Sequence, residues 1–362
     1  GSIRYERNTT PVVFHDYTYW SSPVENQVLG NFSPDTSPSR FYIFNNATYA
    51  WQNISTASVM NAGQGYIIRA PGTFSATVPS VFTGAFYGVP HNGPYSIGVT
   101  VSGTQNRNLL GNPYPSAIDA DLLYLANSGV LQGNMFFWTH NTPITANLYN
   151  ANDYATYNAT GGAGTAASPN PGVNPNVPTG NIAAGQGFFV KMNHNSASPS
   201  GNATFTNDMR GTDVSNNQFY RSANTTYSED TDEKHRIWLN LVNPNQIATS
   251  LLVGYVEEAT NGVDRIYDAE TKLKNNFEVY SIVDNQYFNI QGKSLPFTTT
   301  DEVPLGFTTN QNGIHTFGLT AVDGLFEGNQ EIYIQDLELN IIHNLKESPY
   351  SFTTEAGNNN TR

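Results

Sequence analysis

The chain has no cysteine and only four methionines, and charged residues fill just 12% of its 362 positions, against a usual share of roughly 25%. The missing cysteine excludes a disulfide-stapled scaffold, a thiol nucleophile and a thiolate zinc site. So few oxidisable side chains suit an exposed, oxidising location. No apolar run reaches the roughly 18 residues that a membrane-spanning helix needs, so no transmembrane segment is expected. No signal peptide is present either, but a mature chain has lost its signal, and Gly1-Ser2 reads as a cloning remnant. Lys and Arg number 16 against 29 Asp and Glu, for a net charge of −13. So few scattered cations cannot build a phosphate-tracking stripe, which excludes nucleic acid as a partner.

Aromatic residues are abundant, with 21 Tyr and 20 Phe, and stand among Asn, Thr, Ser and Gly. That mixture favours strands and turns and leaves little helix. The length predicts two or three domains.

An internal correspondence runs through the first 210 residues. Trp20-Ser21-Ser22-Pro23-Val24 answers Leu110-Gly111-Asn112-Pro113-Tyr114, and Phe41-Tyr42-Ile43-Phe44-Asn45 answers Met135-Phe136-Phe137-Trp138-Thr139. Asn61-Ala62-Gly63-Gln64-Gly65-Tyr66-Ile67-Ile68 pairs with Ala183-Ala184-Gly185-Gln186-Gly187-Phe188-Phe189-Val190, and Phe74–Val78 with Gly201–Phe205. The separation grows from 90 residues between Pro23 and Pro113 to 122 between Gln64 and Gln186, so the second copy carries about 32 extra residues. These fall in an Asn, Ala, Thr, Gly and Pro-rich stretch over 141–180, which reads as a long loop with no core of its own. The Ala-Gly-Gln-Gly motif precedes a β-prone run, where its glycines permit positive φ at a strand-leading turn; it lacks the context of a phosphate loop.

Past an acidic stretch, Arg236–Val242 alternates, with Ile237, Leu239 and Leu241 on one face and Trp238 on the other. Further runs at 251–256, 277–283, 314–319, 331–336, 339–343 and 350–354 predict an antiparallel sandwich of about eight strands, with turns at Asn312-Gly313 and Asp323-Gly324. The fold class is therefore all-β: tandem β-sandwich domains, jelly-roll or Ig-like, with an internal duplication in the N-terminal part. The expected segments are copy one at 1–105, copy two at 106–213 with its flexible 141–180 insertion, an acidic linker at 214–234, and the C-terminal sandwich at 235–358.

Catalytic patterns are missing. The seven histidines show no metal-ligand spacing, and there is no nucleophile elbow. Clustered acids such as Asp264, Asp268, Asp301 and Glu302 read as solvated loop charge, although two carboxylates at hydrolase separation are an alternative. Asp119-Ala-Asp121 is a weak Ca²⁺ candidate through loop oxygens, with a helix cap as the competing reading; no other cofactor is expected. Aromatic side chains are the better ligand candidates, because sugar rings stack on them. Those singled out are Trp51 and Trp138 beside repeat strands, and Tyr149, Tyr154 and Tyr157 in the insertion.

Leu110-Gly111-Asn112-Pro113-Tyr114-Pro115-Ser116-Ala117-Ile118-Asp119, Ala184–Met192 and the ending Tyr350–Gly357 resemble large surface proteins that Bacteroidota export through the type IX secretion system. The similarity spans most of 108–362. It implies a secreted or outer-surface location, the type IX machinery as a partner, and a place just before a C-terminal sorting domain, which would begin about where Asn360-Thr361-Arg362 stands. The reading that follows is a non-catalytic, adhesin-like protein recognising a glycan or a surface partner. A structural stalk serving export, or a glycan hydrolase, are the alternatives.

Overall fold

The structure is a computed structural model that describes residues 1–139, 149, 153–165, 177–193, 198–211, 216, 233–271 and 276–362. Strand accounts for 48% and helix for 7% of the described residues, so the fold is all-β as composition predicts. Two compact units are present: residues 1–149 with 180–222, and residues 150–179 with 223–362. Part of the expected insertion therefore groups with the C-terminal unit. The acidic stretch 214–234 lies almost wholly outside the described residues.

In the first unit one antiparallel sheet runs in the order Tyr17–Trp20, Tyr66–Arg69, Phe41–Asn45, Ala50–Asn53. A second places Gly187–Met192 between Arg107–Gly111 and Leu131–Trp138. Each has a companion ribbon: Ile3–Asn8 with Thr83–Gly88, and Tyr95–Thr100 with Ser200–Phe205. The same order of pairing thus occurs in both halves. Phe74–Val78 forms no strand, whereas Gly201–Phe205, the segment set against it, lies in the strand Ser200–Phe205.

The two Gly-Gln-Gly turns lock the halves reciprocally. Ser21 N donates to Gly185 O at 2.8 Å, and Gly111 N donates to Gly63 O at 2.9 Å. Isolated bridges join Trp20 to Gln186 and Gln64 to Leu110. Gly63 and Gly185 have φ of 76° and 73°, the left-handed region that glycine enters without steric cost. Trp20, Leu29, Phe32, Phe41, Met60, Tyr66, Ile68 and Phe86 form the core beneath the first sheet, with Phe32 stacked on Phe86 at 4.5 Å.

In the second unit one sheet follows the order Tyr350–Thr354, Gly313–Val322, Lys234–Val242, Ala248–Val256, Gln286–Ser294, Glu278–Val283, Leu305–Thr309, Gly357–Asn359. Laid flat, its outermost strands would stand about 34 Å apart. They are joined in the chain only by Glu355 and Ala356, a connection that reaches about 11 Å. The sheet must therefore curl around its core, which Leu239, Leu241, Leu251, Val253, Phe307, Phe317 and Phe352 fill. The alternation in 236–242 holds: Leu239 and Leu241 enter this core, whereas Trp238 packs on the other face with Ala163, Leu252, Ala269 and Ile290.

Asp323-Gly324 makes the expected turn, leading into a 3₁₀ turn over Gly324–Glu327. Two expectations fail here. Ala248–Val256 and Gln286–Ser294 pair in parallel, so the sheet is not purely antiparallel. Residues 153–165 are no bare loop: Tyr154–Asn158 and Gly161–Ala163 form a hairpin that buries Ala155, Tyr157 and Ala163. It is anchored by Trp238 Nε1 donating to Gly162 O at 2.7 Å and Thr160 Oγ1 donating to Tyr267 O at 2.7 Å.

Candidate functional site

Strand alternation divides the sheet of the first unit into two faces. Trp20, Tyr66, Ile68 and Phe41 point into the core. The register sets Tyr17 opposite Arg69, Tyr19 opposite Ile67, Tyr42 opposite Ile67 and Phe44 opposite Trp51, so these side chains share the other face. That face is aromatic because Tyr17-Thr18-Tyr19-Trp20 repeats with period two while Trp20 takes the inward place.

The aromatics form one contiguous array. Tyr19 lies parallel to Trp138, with centroids 5.9 Å apart and planes 10° apart, and meets Trp51 edge-on at 5.8 Å. Trp51 also contacts Phe44 at 5.2 Å and Phe189 at 5.8 Å. Tyr149 connects to Trp138 at 6.3 Å and to Tyr17 at 5.5 Å. Trp51 and Tyr149 keep 38% and 42% of their surface exposed, which makes them the parts of the array open to a ligand.

At the Tyr149 end lies a cavity of about 530 Å³ lined by Phe14, His15, Tyr17, Arg40, Arg69 and Tyr149. Tyr149 donates its hydroxyl hydrogen to His15 O at 2.8 Å. Burial pushes the Tyr149 phenol up to about 12 and the Tyr17 phenol upward, with the neighbouring phenols adding to each shift. The Arg69 guanidinium stacks over the Phe14 ring at 4.3 Å. Arg40 sits beside the Tyr17 and Tyr42 hydroxyls. Asp16 accepts a hydrogen bond from Val13 N at 2.8 Å, and burial raises its carboxyl pKa.

Of the residues singled out from sequence, Trp51, Trp138 and Tyr149 come together in this array. Tyr154 and Tyr157 stand in the hairpin of the second unit, where Tyr157 is 6% exposed. Asp119 caps the helix Ala120–Asn127, its Oδ1 accepting from Asp121 N at 2.8 Å and Leu122 N at 2.9 Å. Among the described residues no group of three or more His, Cys, Asp or Glu could hold a metal ion.

Two acids read as solvated are built into the second unit. Asp268 is buried, and accepts hydrogen bonds from Gly292 N at 2.8 Å and Asp264 N at 2.5 Å. Asp301 accepts from the Tyr255 hydroxyl at 2.6 Å and pairs with buried Lys293 at 2.7 Å. Sequence reasoning missed Phe14, His15, Tyr17, Arg40 and Arg69. The alternation at 17–20 was the available signal for Tyr17; the arginines gave none.

Over residues 1–362 the chain matches the family described as a domain of unknown function, DUF8693. The chain belongs to this family. No curated protein and no solved structure matches this DUF8693 member. Among its described residues no helix is long and apolar enough to cross a membrane.

Proposed function

We propose that the protein is a non-catalytic surface module that binds glycan through the aromatic face of its first unit. The observation that carries this reading is the continuity of the array: Trp51, Tyr19, Trp138, Tyr149 and Tyr17 succeed one another at 5.5–6.3 Å, with Trp51 and Tyr149 open at their outer surfaces. Sugar rings carry apolar C–H faces that stack on indole and phenol rings, and a row of rings suits several successive residues of a polymer. An acidic, sparsely charged β protein also fits an extracellular setting, and the resemblance to type IX substrates supports placement at the outer cell surface by that machinery.

The test is retention of the protein on immobilised neutral and acidic polysaccharides. Trp51→Ala should weaken binding at least tenfold without altering thermal unfolding, since Trp51 is partly exposed and stands outside the core. Retention of Trp51→Ala equal to that of the natural protein on every polymer would remove the reading.

A further inference from the structure

The cavity beside Tyr149 has chemistry that stacking alone does not explain. Two of the chain's 16 basic residues line it, in a protein whose net charge is −13. Neither Arg40 nor Arg69 takes part in an ion pair among the described residues. The nearby Asp16 carboxylate is engaged by Val13 N instead. The Arg69 Nε is buried and has no hydrogen-bond partner. A buried donor on a cation is costly to leave unmet, and a carboxylate satisfies a guanidinium through two parallel hydrogen bonds. The volume of about 530 Å³ lies within the range of small-ligand sites.

Resting on the glycan-binding reading, we infer that this cavity is the subsite for an acidic sugar, whose carboxylate is held by Arg69 and Arg40 while its ring packs on Tyr17 and Tyr149. A carboxylate presents both its oxygens in the plane of the guanidinium fork and so meets it bidentately. The sugars that follow on one side of it then lie along the array toward Trp138 and Trp51.

The experiment compares binding of the full chain to oligogalacturonate, to the same oligomer with its carboxyls methyl-esterified, and to a sulfated neutral oligosaccharide of equal length. Oligogalacturonate should bind at least tenfold more tightly than its ester, and the preference should shrink as salt rises. Arg69→Gln should abolish the preference for the acid, and Arg69→Lys should restore only part of it; thermal unfolding of each variant establishes that it folds. Equal affinity for acid and ester, or an Arg69→Gln variant that keeps the preference, overturns the acidic subsite while Trp51-dependent binding keeps the broader reading alive. Tighter binding of the sulfated oligosaccharide overturns the assignment to a carboxylate. If none of the three oligomers binds, the subsite falls, while Trp51-dependent retention on immobilised polysaccharides decides the glycan-binding reading separately.

Discussion

Asp268 is a carboxyl group that folding takes out of water in exchange for two backbone hydrogen bonds. Burial is the largest influence on it and pushes its pKa up to about 7, the neighbouring Asp264 charge acts in the same direction, and the N–H groups of Asp264 and Gly292 only partly oppose them. In the unfolded chain the group returns to about 3.8. Between these values the folded state binds the extra proton, so this group's stabilising contribution is complete below about pH 4 and is lost as pH rises through about 7. The loss is on the order of 4 kcal/mol. Urea unfolding measured from pH 5 to pH 8 should show this decline, and Asp268→Asn should flatten it. At pH 5 the variant should be less stable than the natural protein, because its amide turns a donor toward the N–H of Asp264. An unchanged slope in Asp268→Asn would assign the pH dependence elsewhere, with Glu278, whose pKa burial also raises, as the next group to replace.

The turns and strands around the candidate site depend on close backbone approach, and Gly65 shows how tightly. A Cβ there would lie 2.5 Å from Leu110 O and 2.6 Å from Leu109 Cγ. Gly65→Ala should therefore destabilise the first unit by about 1–3 kcal/mol, read as a lower urea midpoint with an unchanged slope. This turn was legible in sequence, since the repeated Gly-Gln-Gly pattern before a β-prone run constrains local backbone geometry, as did the faces of the strand Lys234–Val242. The strand Gln286–Ser294 was not read, because it buries polar Gln291 and Lys293 and so breaks the apolar pattern. Its one local signal was Asp284-Asn285, both at positive φ, which close the hairpin with Glu278–Val283. Half of the candidate site was hidden for a different reason. Tyr17 and Arg69 are opposite each other by register between strands 52 positions apart in sequence, and such non-local pairing leaves no periodic trace in either strand.

At the scale of the whole molecule, the 141–180 insertion changes meaning. A stretch rich in Asn, Ala, Thr and Gly reads as solvent-exposed loop, yet residues 153–165 supply part of the second unit's packing. Small side chains make this work: Ala163 at 1% exposure stands against Trp238, Leu252, Ala269 and Ile290, and the adjacent Gly162 leaves its carbonyl free to accept the Trp238 indole hydrogen. Low hydrophobicity here reflects close approach to a large neighbour, and burial cannot be inferred from composition alone. Ala163→Asp should then place an unpaired carboxylate in this apolar cluster and destabilise the second unit by more than about 3 kcal/mol. Hydrogen exchange resolved by segment should show faster exchange in Lys234–Val242, Ala248–Val256 and Gln286–Ser294. Protection in Tyr17–Trp20 and Tyr66–Arg69 should stay as it was, because those strands belong to the first unit's own sheet. Unaltered exchange in the second unit would mean that the hairpin rests on the sheet without stabilising it.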